Sequence, residues 1–215
     1  MSKQHTHYFG YTVSSMFSSA TRGASHAVFA GVSRSCAAAF LLAFAPSWLV
    51  VPGLAATLEQ LTFDQMTAEA TDVVYGRVLG SQVRVQGDSI YTHYSVEVTD
   101  RWKGSKQLVM DVVLPGGEAG GLRQTFAGVP QLVTGKQYVM FLWTGSSGRT
   151  QLLGLTQGLF EVSENLTGEI EASRGPSPEL MLDRSGKAVQ DQPVRMRLSD
   201  MSTRVKNAAP KKAAQ

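Results

Sequence analysis

The chain has 215 residues, 43% of them apolar, so it is long enough for one globular domain with additional segments. Three of its 20 lysines and arginines precede residue 56 and none of its 17 acidic residues does, so the rest of the chain carries no net charge. That balance gives no electrostatic argument for a nucleic-acid partner. The single cysteine, Cys36, lies in the same leading segment, which argues against disulfides, thiol catalysis and thiolate metal sites elsewhere.

The first 55 residues have the pattern of an export leader. An uncharged apolar run over residues 36–51 follows Arg34, and small residues surround Ala55. We therefore predict a signal peptide with a long n-region over residues 1–55, cleaved near Ala55, and an exported protein in the periplasm or outside the cell. A retained membrane anchor is the alternative, but the run is short for a span of about 20 residues and contains Pro46. After cleavage we expect no membrane span.

A short helix and two strands open the remaining chain. Thr62 and Gln65 have the spacing of a capping box, which predicts a helix over residues 63–70. The hydrophobic period then becomes strand-like over residues 73–85, where two glycines suggest bulges or coiling. Residues 90–99 show the clearest alternation of apolar and polar positions in the chain, which predicts a strand with one face buried.

His93 falls on the polar face of that alternating strand. It is the one histidine of four that lies beyond the leader, and a zinc site usually needs two or three His or Cys ligands. No metal or other cofactor is therefore expected. A solvated histidine is the simpler interpretation of His93, and a catalytic role is the alternative.

A glycine-rich loop follows the next strand, which we predict over residues 108–114. Pro115 ends that strand, because proline gives the ladder no N–H, and four glycines then surround the single charge of Glu118. The loop can be either the lip of a binding site or a tight corner of the sheet. The candidate lip comprises Gly116, Gly117, Glu118, Gly120, Gly121, Arg123, Trp102 and Trp143.

The second half of the chain contains one fully apolar segment and then a fading core signal. Residues 138–143 are apolar without alternation, which predicts a strand buried on both faces, and shorter strands follow to residue 172. We therefore predict a domain over residues 56–173 that folds by itself. Residues 174–205 form a predicted extension with a short helix, and residues 206–215 a disordered tail.

Several motifs together resemble a family of exported bacterial proteins of unknown function that carry a Pro-Gly-Gly-Glu-x-Gly-Gly loop. The resemblance covers residues 58–172, and the glycine block is its most specific part. The motifs are Asp72-Val73-Val74-x-Gly76-Arg77-Val78, Tyr94-x-Val96-x-Val98, Lys103-Gly104, Leu114-Pro115-Gly116-Gly117-Glu118-x-Gly120-Gly121 and Gly135-Lys136-x-Tyr138.

More loosely, the same pattern is similar to netrin-like domains, including the tissue inhibitors of metalloproteinases. That similarity implies a mainly β fold: a small antiparallel OB-like (netrin-like) β-barrel with a short N-terminal helix, followed here by a weakly ordered C-terminal extension. Those inhibitors bind zinc through an N-terminal cysteine, and the chain after residue 55 has no cysteine. The fold can carry over, but that inhibitory mechanism cannot.

Three functions fit these observations. We favour an exported, non-catalytic binding or interaction module for an unknown protein or envelope ligand, since OB-type barrels bind ligands across one sheet face and its loops. A hydrolase that uses Glu118 with His93 or Asp111 is the second hypothesis, although the chain has no Gly-x-Ser-x-Gly, His-Glu-x-x-His or phosphate-loop motif. A partner or inhibitor of an exported protease is the third, and it depends on fold analogy alone.

Overall fold

The structure is a computed structural model, and it describes residues 57–104 and 106–208. The predicted leader, its cleavage near Ala55 and the end of the predicted tail lie outside the described residues. In the described ranges no helix is both long and apolar enough to cross a membrane.

In chain order, the elements are β1 (Thr57–Glu59), α1 (Phe63–Glu69), β2 (Asp72–Gln86), β3 (Ser89–Lys103), β4 (Val109–Pro115), β5 (Gly117–Ala119), β6 (Leu122–Gln124), β7 (Gln137–Thr144), β8 (Thr150–Leu152), a 3-10 turn (Leu155–Gly158), β9 (Leu159–Glu164), β10 (Ile170–Arg174), β11 (Leu180–Leu182), β12 (Ala188–Val189), β13 (Val194–Arg197) and α2 (Leu198–Ala208).

Eight strands form one large sheet in the order β13–β10–β9–β7–β2–β3–β4–β8. Strand β8 pairs with β7 as well as with β4, and its single pairing with β4, Val112 opposite Thr150, is the one parallel contact in this sheet. Two small sheets, β1–β11–β12 and β5–β6, complete the β structure. The prediction of a mainly β chain with a short N-terminal helix is confirmed, whereas a closed OB-type barrel stays a prediction.

Helix α1 begins and ends as its local sequence dictates. The Thr62 hydroxyl accepts a hydrogen bond from the Gln65 amide, and the Gln65 side chain accepts one from the Thr62 amide, so the predicted capping box is confirmed. At the other end, the Lys103 ammonium donates to the carbonyls of Thr67 and Ala68 at 2.7 and 2.9 Å. Burial lowers the pKa of Lys103, against the opposing effect of the Asp72 charge. Lys103 therefore fixes α1 to the far end of β3.

The apolar residues separate into two main cores on opposite faces of the sheet. The first includes Val78, Val96, Val112 and Leu152, and it lies between the strands β2, β3, β4, β7 and β8. The second lies on the other face and is covered by α1 and α2; its fully buried members include Phe141, Phe160, Ala172, Met201 and Val205.

Strand β7 supplies residues to both cores, which explains its continuous apolar sequence. The expectation of burial on both faces is confirmed for Tyr138–Leu142, whose exposed fractions are 4% or less. It is wrong for Trp143, which is 38% exposed, because the strand there reaches the edge of the covered region.

Residues 174–208 differ from the weakly ordered extension and tail that the sequence predicts. They form β11, β12, β13 and α2; β13 pairs with β10, and Met201 and Val205 of α2 are fully buried in the second core. The apolar residues here look scattered in the sequence because short strands and one helical stripe at i, i+4 each contribute only a few. Helix α2 also continues to Ala208, so residues 206–208 are helical where a disordered tail was expected.

A buried ion pair ties this C-terminal region to the large sheet. The Arg174 guanidinium, at the end of β10, binds the Asp191 carboxylate through both terminal nitrogens, and the two side chains are 7% and 3% exposed. Asp191 also accepts a hydrogen bond from the Ser177 amide at 2.8 Å. The sequence gives no sign of this pair, since 17 residues separate its two members.

Candidate functional site

The predicted glycine loop is a short β-hairpin formed by β5 and β6. Gly116 and Gly117 have φ angles of +101° and +143°, in which residues with a side chain are strained. A Cβ atom at Gly117 would lie 2.9 Å from the Thr92 hydroxyl, so the hairpin packs directly on β3 at this point. Both glycines therefore have a structural explanation.

The charged residues of this hairpin face each other but form no cavity. Glu118 lies opposite Arg123 in the β5–β6 register, and both side chains are exposed. The two tryptophans of the candidate lip lie elsewhere. Trp102 is 5% exposed and lines a different groove with Asp100 and residues of α2, while Trp143 packs its ring over Gly145. The structure therefore brings Gly116–Gly121 and Arg123 together, without the two tryptophans.

We expect Glu118→Gln to change the free energy of unfolding by less than about 0.5 kcal/mol, as for most exposed side chains. Gly117→Val in the same hairpin is the contrasting variant. It forces a β-branched residue into positive φ and against Thr92, which should cost about 1–3 kcal/mol. Urea titrations of both variants measure these changes. A loss above about 1.5 kcal/mol for Glu118→Gln would instead indicate a charge-assisted hydrogen bond and favour the lip.

The structure shows a better-formed candidate site on the outer face of β3 and β4, which is the face opposite the first core. It is an open cleft of about 620 Å³. One wall is formed by these two strands and the tip of β2, and the other by the β7–β8 loop and the strand ends beside it. Its lining includes Gln86, His93, Gln107, Asp111, Val113, Thr144, Ser147, Arg149 and Thr150.

His93 and Asp111 are brought together in this cleft by the register of β3 and β4. His93 lies opposite Val113 and Ser95 opposite Asp111, so the two functional side chains are diagonal neighbours on the same face. The His93 Nδ1 atom lies 2.8 Å from the Asp111 Oδ2 atom. The carboxylate therefore fixes the orientation of the imidazole, in the way that a carboxylate orients the histidine of hydrolytic triads.

The other ring nitrogen of His93 has no partner among the described residues. The His93 side chain is 10% exposed, and its Nε2 atom is buried without a hydrogen bond. A buried polar atom left without a partner costs about 1–3 kcal/mol, so native structures rarely retain one without a reason. Since Nδ1–H donates to Asp111, Nε2 of the neutral ring is an acceptor that a ligand or water can satisfy. The predicted solvated histidine is therefore wrong: His93 is buried.

Arg149 holds the β7–β8 loop across the cleft. Its Nη2 atom donates to the Gln86 Oε1 atom at 2.8 Å, and its guanidinium lies 4.3 Å from the centre of the Tyr91 ring. At the strand ends the Thr144 and Thr150 hydroxyls hydrogen-bond each other at 2.9 Å. The walls of the cleft thus present amides and hydroxyls, with two carboxylates, Asp72 and Asp111, and one guanidinium already engaged.

The hydrolase hypothesis named His93 and Asp111 only as alternative partners of Glu118, so their pairing with each other was not predicted. Their places on neighbouring strands are a usable signal, but the register of β3 and β4, which brings them together, cannot be read from the sequence. Glu118, which the hydrolase hypothesis joined to them, does not line this cleft. Arg149 and Gln86 carried no sequence signal, because an arginine in a polar loop and a glutamine at a turn are unremarkable on their own.

Comparisons of the chain with protein-family models, curated proteins and solved structures found no match. The functional argument therefore starts from the geometry of the cleft and the chemistry of the groups that line it.

Proposed function

We propose that the chain is an exported, non-catalytic binding module built on a small OB-type barrel. Support for the barrel comes from the pairings of β2 with β3, β3 with β4, β4 with β8, β8 with β7 and β7 with β2, which return to their starting strand. Five strands in such a ring are typical of OB folds, which bind ligands on a sheet face and in the adjoining loops. Support for export is the leader pattern of residues 1–55.

The binding site of this module is the cleft on β3 and β4, and the buried Nε2 atom of His93 is the observation that carries the proposal. The atom has almost no accessible surface, so binding there requires the groups that cover Nε2 to move. A ligand that then donates a hydrogen bond to Nε2 removes the cost of the unsatisfied acceptor, while Asp111 keeps the ring in place. Binding sites in general combine a concave surface with a few fixed polar groups of this kind.

The lining favours a neutral ligand rich in hydroxyl and amide groups. The one guanidinium in the described lining, Arg149, is engaged by Gln86 and Tyr91. Its two carboxylates are engaged as well, Asp111 by His93 and Asp72 by Arg101. What remains is a set of amide and hydroxyl side chains, which suit a glycan of the cell envelope. The proposed ligand class is therefore an envelope sugar chain that carries N-acetyl groups.

A titration with a defined sugar tests this proposal, and the chitin trimer is the probe. We expect binding to shift the NMR signal of the His93 imidazole nitrogen Nε2 and to raise the melting temperature. The variant His93→Phe removes the acceptor but keeps a ring in the cavity. We expect it to leave the unfolding free energy within about 1 kcal/mol of the parent, because the unsatisfied Nε2 atom disappears and the Asp111 side chain, which is 57% exposed, is hydrated in place of its lost contact, and to abolish sugar binding.

Glu97→Gln is the matched control for the binding experiment. Glu97 is exposed on the same strand and does not line the cleft, so its variant should bind the trimer like the parent. Unchanged affinity in His93→Phe, or no response of the parent to the trimer or to a peptidoglycan fragment, would show that the cleft is not a glycan site.

A hydrolase is the second candidate, because the Asp111–His93 pair has the geometry of the base in acyl-transfer enzymes. In such an enzyme Nε2 would take a proton from a water molecule that attacks an amide carbonyl of the bound substrate, and would return it to the amine that leaves as the C–N bond breaks. No hydroxyl of the described residues lies within hydrogen-bond distance of Nε2, so a side-chain nucleophile has no support. Prolonged incubation with the same trimer separates the two functions: a hydrolase of this type cleaves the N-acetyl groups and releases acetate at a rate that falls about 10²–10⁴-fold in His93→Gln, and a binding module releases none.

A further inference from the structure

The second half of β2 is a sheet edge with an open side. Up to Arg77 the strand pairs with β7, and Val78 still exchanges two backbone hydrogen bonds with Gly135 and Lys136. From Gly80 to Gln86 it pairs only with β3 among the described residues, and residues 81–86 are all exposed. Over these seven residues, every second one therefore directs its backbone N–H and C=O to the open side of the strand.

This edge has little of the protection that natural sheet edges usually have. Residues 80–86 contain no proline and one charged residue, Arg84, and the irregularity in the β2–β3 register lies before Gly80. Val83 and Val85 are 36% and 60% exposed. A long edge of this kind is a template for another strand, so its survival in a native protein calls for a partner that covers it.

We propose that a second copy of this chain covers the edge, with β2 of each protomer pairing antiparallel about a two-fold axis at Val83. Val83 is the centre of the seven open residues, so this register uses all of them. On one face it places Val83 opposite Val83 of the partner subunit, and Val85 opposite Ser81 of the partner subunit. On the other face it places Arg84 opposite Gln82 of the partner subunit, so no like charges lie directly opposite each other.

The chemistry of these residues favours a second copy over an unrelated peptide. Within one chain the Arg84 Nη2 atom already donates to the Gln82 Oε1 atom at 2.9 Å, which shows that the two side chains are complementary on this face. The two-fold register repeats that complementarity across the interface. An isologous contact of this type closes after two subunits, which leaves no further β2 edge open for continued assembly.

The oligomeric state of the protein, isolated in the form in which the cell accumulates it, tests this inference. A strand pair of seven residues buries an area at the small end of specific interfaces, so we expect association in the micromolar range. Sedimentation equilibrium from a few micromolar to a few hundred micromolar should show the mass rising from one chain toward two. Val83→Lys puts two lysines opposite each other at the axis and should keep the mass at one chain throughout. Leu166→Lys, in the exposed β9–β10 turn, should dimerise like the parent.

Cysteine variants test the register of the proposed strand pair. They also test the dimer itself if Val83→Lys folds poorly. In a Cys36→Ser background, Val83→Cys places two thiols on opposite residues of the paired strands, about 5 Å apart at Cα, so oxidation should link the protomers. Val85→Cys places its two copies about 14 Å apart along the strands and should stay unlinked. A mass of one chain at every concentration, a dimer that persists in Val83→Lys, or linkage at residue 85 in preference to residue 83 would each overturn the proposal.

Discussion

A chain that ends at Ser173 is expected to lose its cooperative thermal transition. This outcome is the opposite of the one that the sequence predicts, because the sequence places a domain boundary at that residue. In the structure the deleted part supplies the edge strand β13, the helix α2 and the carboxylate of Asp191. Far-UV circular dichroism on heating, together with binding of a hydrophobic dye at low temperature, measures the effect.

The size of this effect follows from what the truncation exposes. Met201 and Val205 are fully buried in the second core, and loss of each apolar side chain costs about 1.5–3 kcal/mol in burial alone. Their removal also exposes Phe160 and Ala172, which are fully buried beneath them. Domains have a total stability of about 5–15 kcal/mol, so losses of this kind take a large part of what is available.

A chain that ends at Ala208 is the control for this truncation. It keeps the whole of α2, so its melting temperature should stay close to that of the full chain. A sharp transition in the chain that ends at Ser173, at a temperature near that of the control, would show that residues 56–173 fold independently after all.

The parts of the fold that the sequence predicts are those fixed by neighbours along the chain. The capping box at Thr62 and Gln65 depends on residues three apart, and the alternation of residues 90–99 depends on a period of two. The continuous burial of β7 is also visible, because a strand between two cores needs apolar residues on both faces. Each of these patterns is complete within about ten residues.

The parts that the sequence hides depend on contacts between distant residues. Helix α2 has only two buried residues, Met201 and Val205, and its place in the core depends on a gap that other elements leave. The candidate site is hidden for the same reason. His93 lies on a polar face, which predicts exposure, but its side chain is 10% exposed beside Asp111, which the β3–β4 register places next to it.

The glycine loop is the opposite case. There a conspicuous sequence pattern suggests a binding loop, but the structure gives it a structural cause. Four glycines around Glu118 suggest a recognition loop, yet the positive φ angles of Gly116 and Gly117 and the contact with Thr92 account for the two glycines that enter the hairpin. A glycine-rich stretch shows that the backbone is unusual there. It does not show whether a ligand or the protein itself is the cause.

Asp191→Ala is expected to lower the free energy of unfolding by about 3–5 kcal/mol at neutral pH, which is the largest effect we predict for a single substitution. Once the carboxylate is removed, the Arg174 guanidinium is a charge that is only 7% exposed and has no counter-charge, which is costly. The Ser177 amide loses its acceptor as well. Urea titrations of the parent and the variant give the difference.

Glu161→Gln is the matched control, because it breaks an ion pair of good geometry that is exposed. The Lys136 Nζ atom lies 2.6 Å from the Glu161 Oε1 atom, but the two side chains are 46% and 50% exposed. Water and salt screen such a pair, so its loss should leave the urea midpoint close to that of the parent. The double variant Arg174→Met with Asp191→Leu removes both buried charges and should restore most of the stability that Asp191→Ala loses.

The stabilising effect of Asp191 should also disappear in acid. Burial alone would raise the pKa of Asp191, but the hydrogen bonds from Arg174 and from the Ser177 amide, with the charge of Arg174, outweigh it and hold the pKa below its ordinary value. A carboxyl group whose pKa is lowered by folding contributes its full stabilisation above the ordinary value of about 3.9, and loses it as the pH falls through the lower folded value. The difference in unfolding free energy between the parent and Asp191→Asn should therefore be constant from about pH 7 to about pH 5 and shrink below about pH 4. A difference that stays constant down to the lowest pH at which both proteins fold would show that the charge of Asp191 does not stabilise the native state.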